Sequence, residues 1–318
     1  MNLPVLAVIL PCFNEEEVLN TTCDKLQAVV CDLISKQKIS RDSILLFVDD
    51  GSSDKTWTII NELTSKYENI KGIKLSANKG HQIALFAGME FVANKDIDCI
   101  LSIDADLQQD EKSIENFVDK FSMGFEVIYG VRNDRKTDGF LKKITATGFY
   151  RLMNLMGVSI VYNHADYRLL SKRANQSLIS FKEVNLFLRG LVPLIGYKTD
   201  TVYFDVKDRF EGESKYTINK MLSFAIDGIT SFSVHPLRMI SFLGFIVFFF
   251  SFLMSIFVAS ALFFTDSVVP GWASTVLPIY FLGGVQLLSI GIVGEYVGKI
   301  YKETKQRPKY FIEEEVWL

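Results

Sequence analysis

Residues 44–56 read Ile-Leu-Leu-Phe-Val-Asp-Asp-Gly-Ser-Ser-Asp-Lys-Thr: an unbroken apolar run, then a cluster of acidic, glycine and hydroxyl side chains. Apolar residues without alternation predict a strand covered on both faces, as in a parallel sheet. The polar cluster then falls at the carboxyl end of that strand, where open α/β sheets collect their ligands. Working outward, Val5–Leu10, Ile70–Leu75, Cys99–Ile103 and Glu126–Tyr129 are expected as further strands, with helices over Glu16–Ile34, Lys55–Tyr67, Gln82–Val92 and Glu111–Phe121. This β-α alternation predicts an α/β fold with a mostly parallel sheet and helices on both faces.

Polar clusters follow the other strands as well: Pro11-Cys12-Phe13-Asn14-Glu15-Glu16, Asp104-Ala105-Asp106-Leu107-Gln108 and Tyr129-Gly130-Val131-Arg132. Taken singly, Asp49-Asp50-Gly51-Ser52-Ser53-Asp54 is a turn feeding an N-capped helix, and Asp104-Ala105-Asp106 a solvated strand end. Taken together, the clusters predict one crevice along the sheet edge. Its Asp104 and Asp106 have the hard oxygen ligands that a divalent cation, Mg²⁺ or Mn²⁺, combines with substrate phosphate oxygens.

The chain of 318 residues carries a net charge of -3, which gives no sign of a nucleic-acid partner. Its four cysteines lack CxxC spacing and its three histidines are scattered, so neither a disulfide framework nor a zinc site is expected. Two long apolar stretches, Ile240–Phe264 and Val276–Gly294, are uncharged, and the first is apolar all round. At about 1.5 Å per residue each approaches or exceeds the roughly 30 Å bilayer core. Arg238 precedes the first, and Lys299, Lys302, Lys305, Arg307 and Lys309 follow the second, so both termini are expected in the cytoplasm. The N-terminus lacks a signal-peptide pattern, which makes the hairpin the expected targeting element.

Ile218, Met221, Leu222, Ala225, Ile226, Ile229 and Phe232 form an apolar stripe at helical spacing, and Val184–Ile195 is apolar around Arg189. Both are expected as helices in the membrane interface, with Lys142, Lys143 and Arg151 nearby to attract anionic headgroups. Gly294 and Gly298 have the spacing for close helix packing, within the hairpin or between protomers of a homo-oligomer. The expected organisation is a catalytic domain over 1–216, an amphipathic segment over 217–237, a hairpin over 238–298 with spans about 240–264 and 276–297, and a cytoplasmic tail over 299–318.

These motifs, with Asn78-Lys79-Gly80, Ala165-Asp166-Tyr167-Arg168-Leu169 and Gly212-Glu213-Ser214-Lys215-Tyr216, resemble those of family 2 glycosyltransferases of the GT-A fold. The match runs nearly end to end with the polyprenyl-phosphate glycosyltransferases, the group of dolichol-phosphate mannose synthases, and the hairpin resembles the bactoprenol glucosyltransferase branch. That resemblance implies inverting transfer of glucose from UDP-glucose to undecaprenyl phosphate at the cytoplasmic face of a bacterial inner membrane, serving a cell-wall or O-antigen pathway through a separate flippase and a downstream transferase. Carried onto matching positions, it implies that Pro11, Phe13, Glu15, Asp49, Asp50, Lys79, Asp104 and Ala105 hold the nucleotide sugar, and that Asp106, with Asp104, holds the metal. Arg132, Arg135, Arg168, Arg209 and Lys215 would meet the phosphates, and Asp166 would stand beside the acceptor as base or as an orienting group. Other donors (GDP-mannose, UDP-galactose or UDP-GlcNAc), a processive polysaccharide synthase and a non-catalytic membrane scaffold are the competing readings. The synthase usually carries a Gln-x-x-Arg-Trp motif, and Trp57, Trp272 and Trp317 do not sit in one.

Overall fold

Leu6–Cys12 (β1), Ile44–Asp49 (β2), Ile70–Leu75 (β3) and Cys99–Ser102 (β4) lie side by side as parallel strands. They form the heart of a computed structural model that describes residues 3–133, 164–184, 186–205, 235–264 and 272–317. Val127–Arg132 (β5), His164–Ser171 (β6), Thr199–Phe204 (β7) and Ile312–Val316 (β8) complete an 8-stranded sheet in the order β7-β5-β6-β4-β1-β2-β3-β8. Four of its seven pairings are parallel, and β6 and β8 run against their neighbours.

Side-chain alternation explains why β1 is apolar throughout. Leu6, Val8 and Leu10 join a core with Leu19, Cys23, Leu26, Val30 and Leu33 of α1 (Leu19–Ser35), together with Trp57, Ile60 and Leu63 of α2 (Thr56–Lys66) and Phe117 of α4 (Ile114–Ser122). Ala7 and Ile9 are equally buried on the other side, where α3 (His81–Val92) covers β1 and β2. That contact depends on Gly88, since a Cβ there would lie 2.6 Å from Ile9 and 2.9 Å from Val48. The described residues divide into one unit with the whole sheet, drawing on residues 3–133, 164–205 and 306–317, and a second within 235–305.

Between residues 133 and 205, β6, β7 and α5 (Lys172–Ile179) emerge where the sequence was irregular. The helix expected over Glu111–Phe121 is a 3-10 turn, Glu111–Ser113, running into α4. Val184–Ile195 is a correction: it holds only α6 (Leu188–Leu191) and a 3-10 turn, Val192–Ile195. Leu188, Leu191 and Val192 are buried in the sheet-bearing unit while Leu194 is exposed, so the segment is a short turn packed on that core and not a continuous interface helix. The amphipathic stripe over 217–234 lies outside the described residues.

The two apolar stretches are helical, as α7 (His235–Phe264) and α8 (Trp272–Lys305). Among the described residues no helix is long and apolar enough to cross a membrane, and the side chains of 248, 251–252, 254–264, 272–274, 276–277, 280–281, 284 and 288 fall outside that count. Beyond α8 the chain returns to the sheet. β8 pairs antiparallel with β3, placing Lys74 opposite Glu314, and Lys74 Nζ meets Glu313 at 2.9 Å. Trp57 Nε1 donates to Glu314 at 2.9 Å, Tyr310 Oη donates to Glu90 at 2.8 Å, and Trp317 meets Phe91 edge-on at 5.3 Å. The supposed tail is therefore a structural edge, and its three successive glutamates, exposed on that edge, discourage further strand addition.

Trp317→Ala is expected to cost about 1–2 kcal/mol, from the lost ring contact and the Lys95 ammonium 4.6 Å from its centroid. Urea unfolding followed by circular dichroism measures this; unchanged stability would mean that the returning segment adds nothing to the sheet.

Candidate active site

The loops after β1 and β2 interlock through their own polar groups. Asn14, at φ 54°, accepts from the Ser53 amide at 2.9 Å, while its own amide donates to Ser52 Oγ at 2.9 Å. The Glu15 amide donates to Thr56 Oγ1 at 2.9 Å and the Lys55 amide to Glu16 at 2.9 Å. Asp49 is fully buried and burial raises its pKa; its Oδ1 accepts from Ser52, whereas Oδ2 has no hydrogen-bond partner. Pro11 is buried as well, and Phe13 lies exposed beside this rim.

Asp50 has a different task. Its two carboxylate oxygens accept from the amides of Lys79 and Gly80, both at 2.8 Å, which fixes the loop entering α3. Gly51, at φ +67°, turns the chain there, and a Cβ would lie 2.7 Å from the Ala77 carbonyl carbon. The carboxylate is thus committed to backbone, and the contribution of Lys79 to this arrangement is its main-chain amide.

At the end of β4, Gln109 clamps Asp104 from both sides: its Oε1 accepts from the Asp104 amide at 3.1 Å and its Nε2 donates to Oδ2 at 2.6 Å. The Ala105 carbonyl accepts from Thr22 Oγ1 at 2.8 Å, and Asp106 Oδ1 accepts from the Gln108 amide at 3.1 Å. Burial is the main cause holding the Asp104 pKa up; His81 opposes it and the Asp166 and Asp106 charges reinforce it.

Strand β6 brings in the last acid. Ser102 pairs with Arg168, and running antiparallel from there brings Asp166 towards Asp104. His81 Nε2 lies 3.4 Å from Asp104 Oδ1 and 3.8 Å from Asp166 Oδ2. Asp166 Oδ1 also accepts from Arg168 Nη2, while Oδ2 accepts from Arg189 Nη2 at 2.9 Å and Gln82 Nε2 at 3.2 Å. Burial pushes the Asp166 pKa up, but Arg189, Arg168 and His81 overcome it and hold the carboxyl well below the usual range. Arg168 is itself wholly buried, with Nη1 donating to the Leu188 carbonyl at 3.3 Å. Arg132 ends β5, and Arg135, Arg209 and Lys215 lie outside the described residues.

Carboxylates after β1, β2 and β4 and at the start of β6, with His81 and Arg189 beside Asp166, gather along one edge of the sheet. The sequence pattern of glycosyl transferase family 2 matches residues 7–179. The chain belongs to that family. The glycosyltransferase is 51% identical over 312 residues to the uncharacterized glycosyltransferase YkoT of Bacillus subtilis (strain 168), covering 98% of this chain and 91% of that one. It is 35% identical over 312 residues to the bactoprenol glucosyl transferase of Shigella phage SfV, covering 98% of each. With the prophage bactoprenol glucosyl transferase homolog of Escherichia coli (strain K12) it shares 34% identity over 308 residues, covering 96% of this chain and 98% of that one.

Sequence reasoning overlooked His81, Gln82 and Gln109 as site residues in this glycosyltransferase, because their roles arise from contacts between distant elements. Arg189 did leave a signal, as the lone cation in an apolar segment.

Asp50→Asn in this transferase turns one acceptor into a donor facing a backbone amide and is expected to cost about 1–3 kcal/mol in a thermal melt. Since the folded Asp166 pKa is depressed, its ion pairs stabilise above the unfolded value of about 3.9 and that stability fades as pH falls. The stability gap between parent and Asp166→Asn should accordingly be wider at pH 7 than below about pH 4.

Proposed function

We propose that this family 2 glycosyltransferase moves glucose from UDP-glucose to undecaprenyl phosphate, or another polyprenyl phosphate, at the cytoplasmic face of a bacterial inner membrane. The observation that carries this reading is the near-complete overlap with relatives named bactoprenol glucosyl transferase, which takes in the sheet-bearing unit and both apolar helices together. The helices add independent support. Phe242, Phe245, Phe250, Leu287 and Ile290 are exposed large apolar side chains, a surface suited to lipid. At about 1.5 Å per residue both helices exceed a roughly 30 Å hydrocarbon core. A polyprenyl acceptor gives the protein a reason to lie in the membrane, since each methylene kept out of water is worth about 0.8 kcal/mol.

Asp104 and Asp106 fit a divalent cation, Mg²⁺ or Mn²⁺: both are oxygen donors, and Asp104 lies where burial and neighbouring carboxylates disfavour its ionised form. Such a cation would supply charge neutralisation on the leaving diphosphate. The chain's own residues do the rest. Gln109 fixes the Asp104 carboxylate, and the interlocked loops around Asp49 and Asn14 shape the nucleotide end. Attack by an acceptor phosphate oxygen on the anomeric carbon inverts its configuration. A phosphate monoester with a second pKa near 6 is already largely ionised, so the step needs little proton abstraction. Asp166, held far down in pKa and hydrogen-bonded on both oxygens, is a weak base suited to orienting cations.

Purified protein given labelled UDP-glucose and undecaprenyl phosphate should produce a short labelled lipid; polymer, or no lipid product with GDP-mannose, UDP-galactose or UDP-GlcNAc either, would sink the reading. Chelation should stop turnover, restored by Mg²⁺ or Mn²⁺, and Asp106→Asn is expected to lower kcat/KM by about a hundredfold or more. Membranes washed with alkaline carbonate should retain the chain, and its release would argue against the spanning helices.

A further inference from the structure

We infer that Gln109 is a positioning residue of the cation site: by occupying one carboxylate oxygen of Asp104, it presents the other oxygen alone to a divalent ion. This rests on the reading of Asp104 and Asp106 as cation ligands. Gln109 is 2% exposed, and both ends of its buried amide are spent on the same residue. Its Oε1 accepts from the Asp104 amide at 3.1 Å and its Nε2 donates to Asp104 Oδ2 at 2.6 Å. Burying an amide is unfavourable unless it is hydrogen-bonded, so the clamp is also what lets Gln109 sit there. The clamped oxygen therefore faces the interior. Oδ1 is left to the crevice, where the Asp104 side chain is 31% exposed and His81 Nε2 stands 3.4 Å from it.

The backbone around this clamp is built to hold it. Leu107 is 6% exposed and takes φ 57°, a left-handed conformation that a residue of its kind enters only where its surroundings impose it. That turn carries the chain back on itself, so that Gln109 lies against Asp104 while the Gln108 amide donates to Asp106 Oδ1 at 3.1 Å. Two neighbours pin the turn on either side. Thr22 Oγ1 of α1 donates to the Ala105 carbonyl at 2.8 Å, and Tyr167 Oη of β6 donates to the Asp110 carbonyl at 3.1 Å. Both anchoring residues are buried. A carboxylate held in this way offers one oxygen to an ion. Ca²⁺ readily takes both oxygens of a carboxylate into its larger, looser shell, whereas smaller ions such as Mg²⁺ demand fewer ligands in stricter positions. Gln109 thus biases the site towards the smaller ions.

The test titrates Mn²⁺ into the full chain in detergent, alone and with UDP, following free Mn²⁺ by electron paramagnetic resonance, with Ca²⁺ as the competing ion. Gln109→Met keeps the bulk of the side chain and removes the clamp, and it should weaken Mn²⁺ binding by about tenfold to a hundredfold. Ca²⁺ should lose less, because the released Oδ2 becomes available to it, so the preference for Mn²⁺ shrinks by about threefold or more. A merely structural role would reduce the number of binding sites and leave the Kd of the remainder unchanged. That result, or any Mn²⁺ Kd within about twofold of the parent, overturns the inference. Equal losses for the two ions overturn the single-oxygen presentation. Should Gln109→Met fail to fold, Gln109→Asn decides in its place, since its shorter amide cannot span both groups: a raised Mn²⁺ Kd with a smaller preference supports the inference, and an unchanged Kd overturns it. No Mn²⁺ binding by the parent, alone or with UDP, overturns the inference and the cation reading together. If the parent binds Mn²⁺ but transfers no glucose to undecaprenyl phosphate, only the functional reading fails, and the titrations still decide for Gln109.

Discussion

A carboxylate buried between two guanidinium groups, Asp166 with Arg168 and Arg189, organises the β6 side of the crevice in this transferase. Breaking such a cluster by removing one partner leaves an uncompensated buried charge, a penalty far above the net worth of the pair. The strand carrying Asp166 and Arg168, the helix carrying Gln82 and the turn carrying Arg189 must therefore assemble together. Their union sets the distance between the acidic end of β4 and the nearest fixed positive charge. The β1–β2 side is held differently, by hydrogen bonds among the loops after β1 and β2 and by the grip of Asp50 on the α3 entry.

This division separates two electrostatic tasks. Asp49 and Asp104 are acids whose pKa burial raises, so each gains from a ligand that brings a hydrogen bond or positive charge. Asp166 is an acid already saturated by cations. Asp49 and Asp104 are carboxylates whose charge burial disfavours, while Asp166 is spent on holding arginine in place.

The legible part of the fold was the part governed by local periodicity. Uniformly apolar runs announced β1 to β4, and the helices α1 to α3 fell within a few residues of their expected bounds. The strands β6, β7 and β8 were illegible because each is defined by a distant partner: Ile312-Glu-Glu-Glu-Val316 has no strand-like alternation and becomes a strand only against β3. The same holds for the site. Asp104, Asp106 and Asp166 stood in recognisable motifs, but the burial of Arg168 and the commitment of Asp50 to backbone are tertiary facts that no short motif encodes.

The return of residues 306–317 to the sheet orders the making of the protein in time. During synthesis β3 is an open edge, and the strand that closes it emerges only after both long apolar helices have been translated. The sheet-bearing unit can collapse early around β1, β2 and β4, yet it stays one strand short until residues 312–316 leave the ribosome. Completion of the sheet is thereby made to follow production of the apolar pair, and a chain lacking residues 312–316 keeps β3 as a sticky edge.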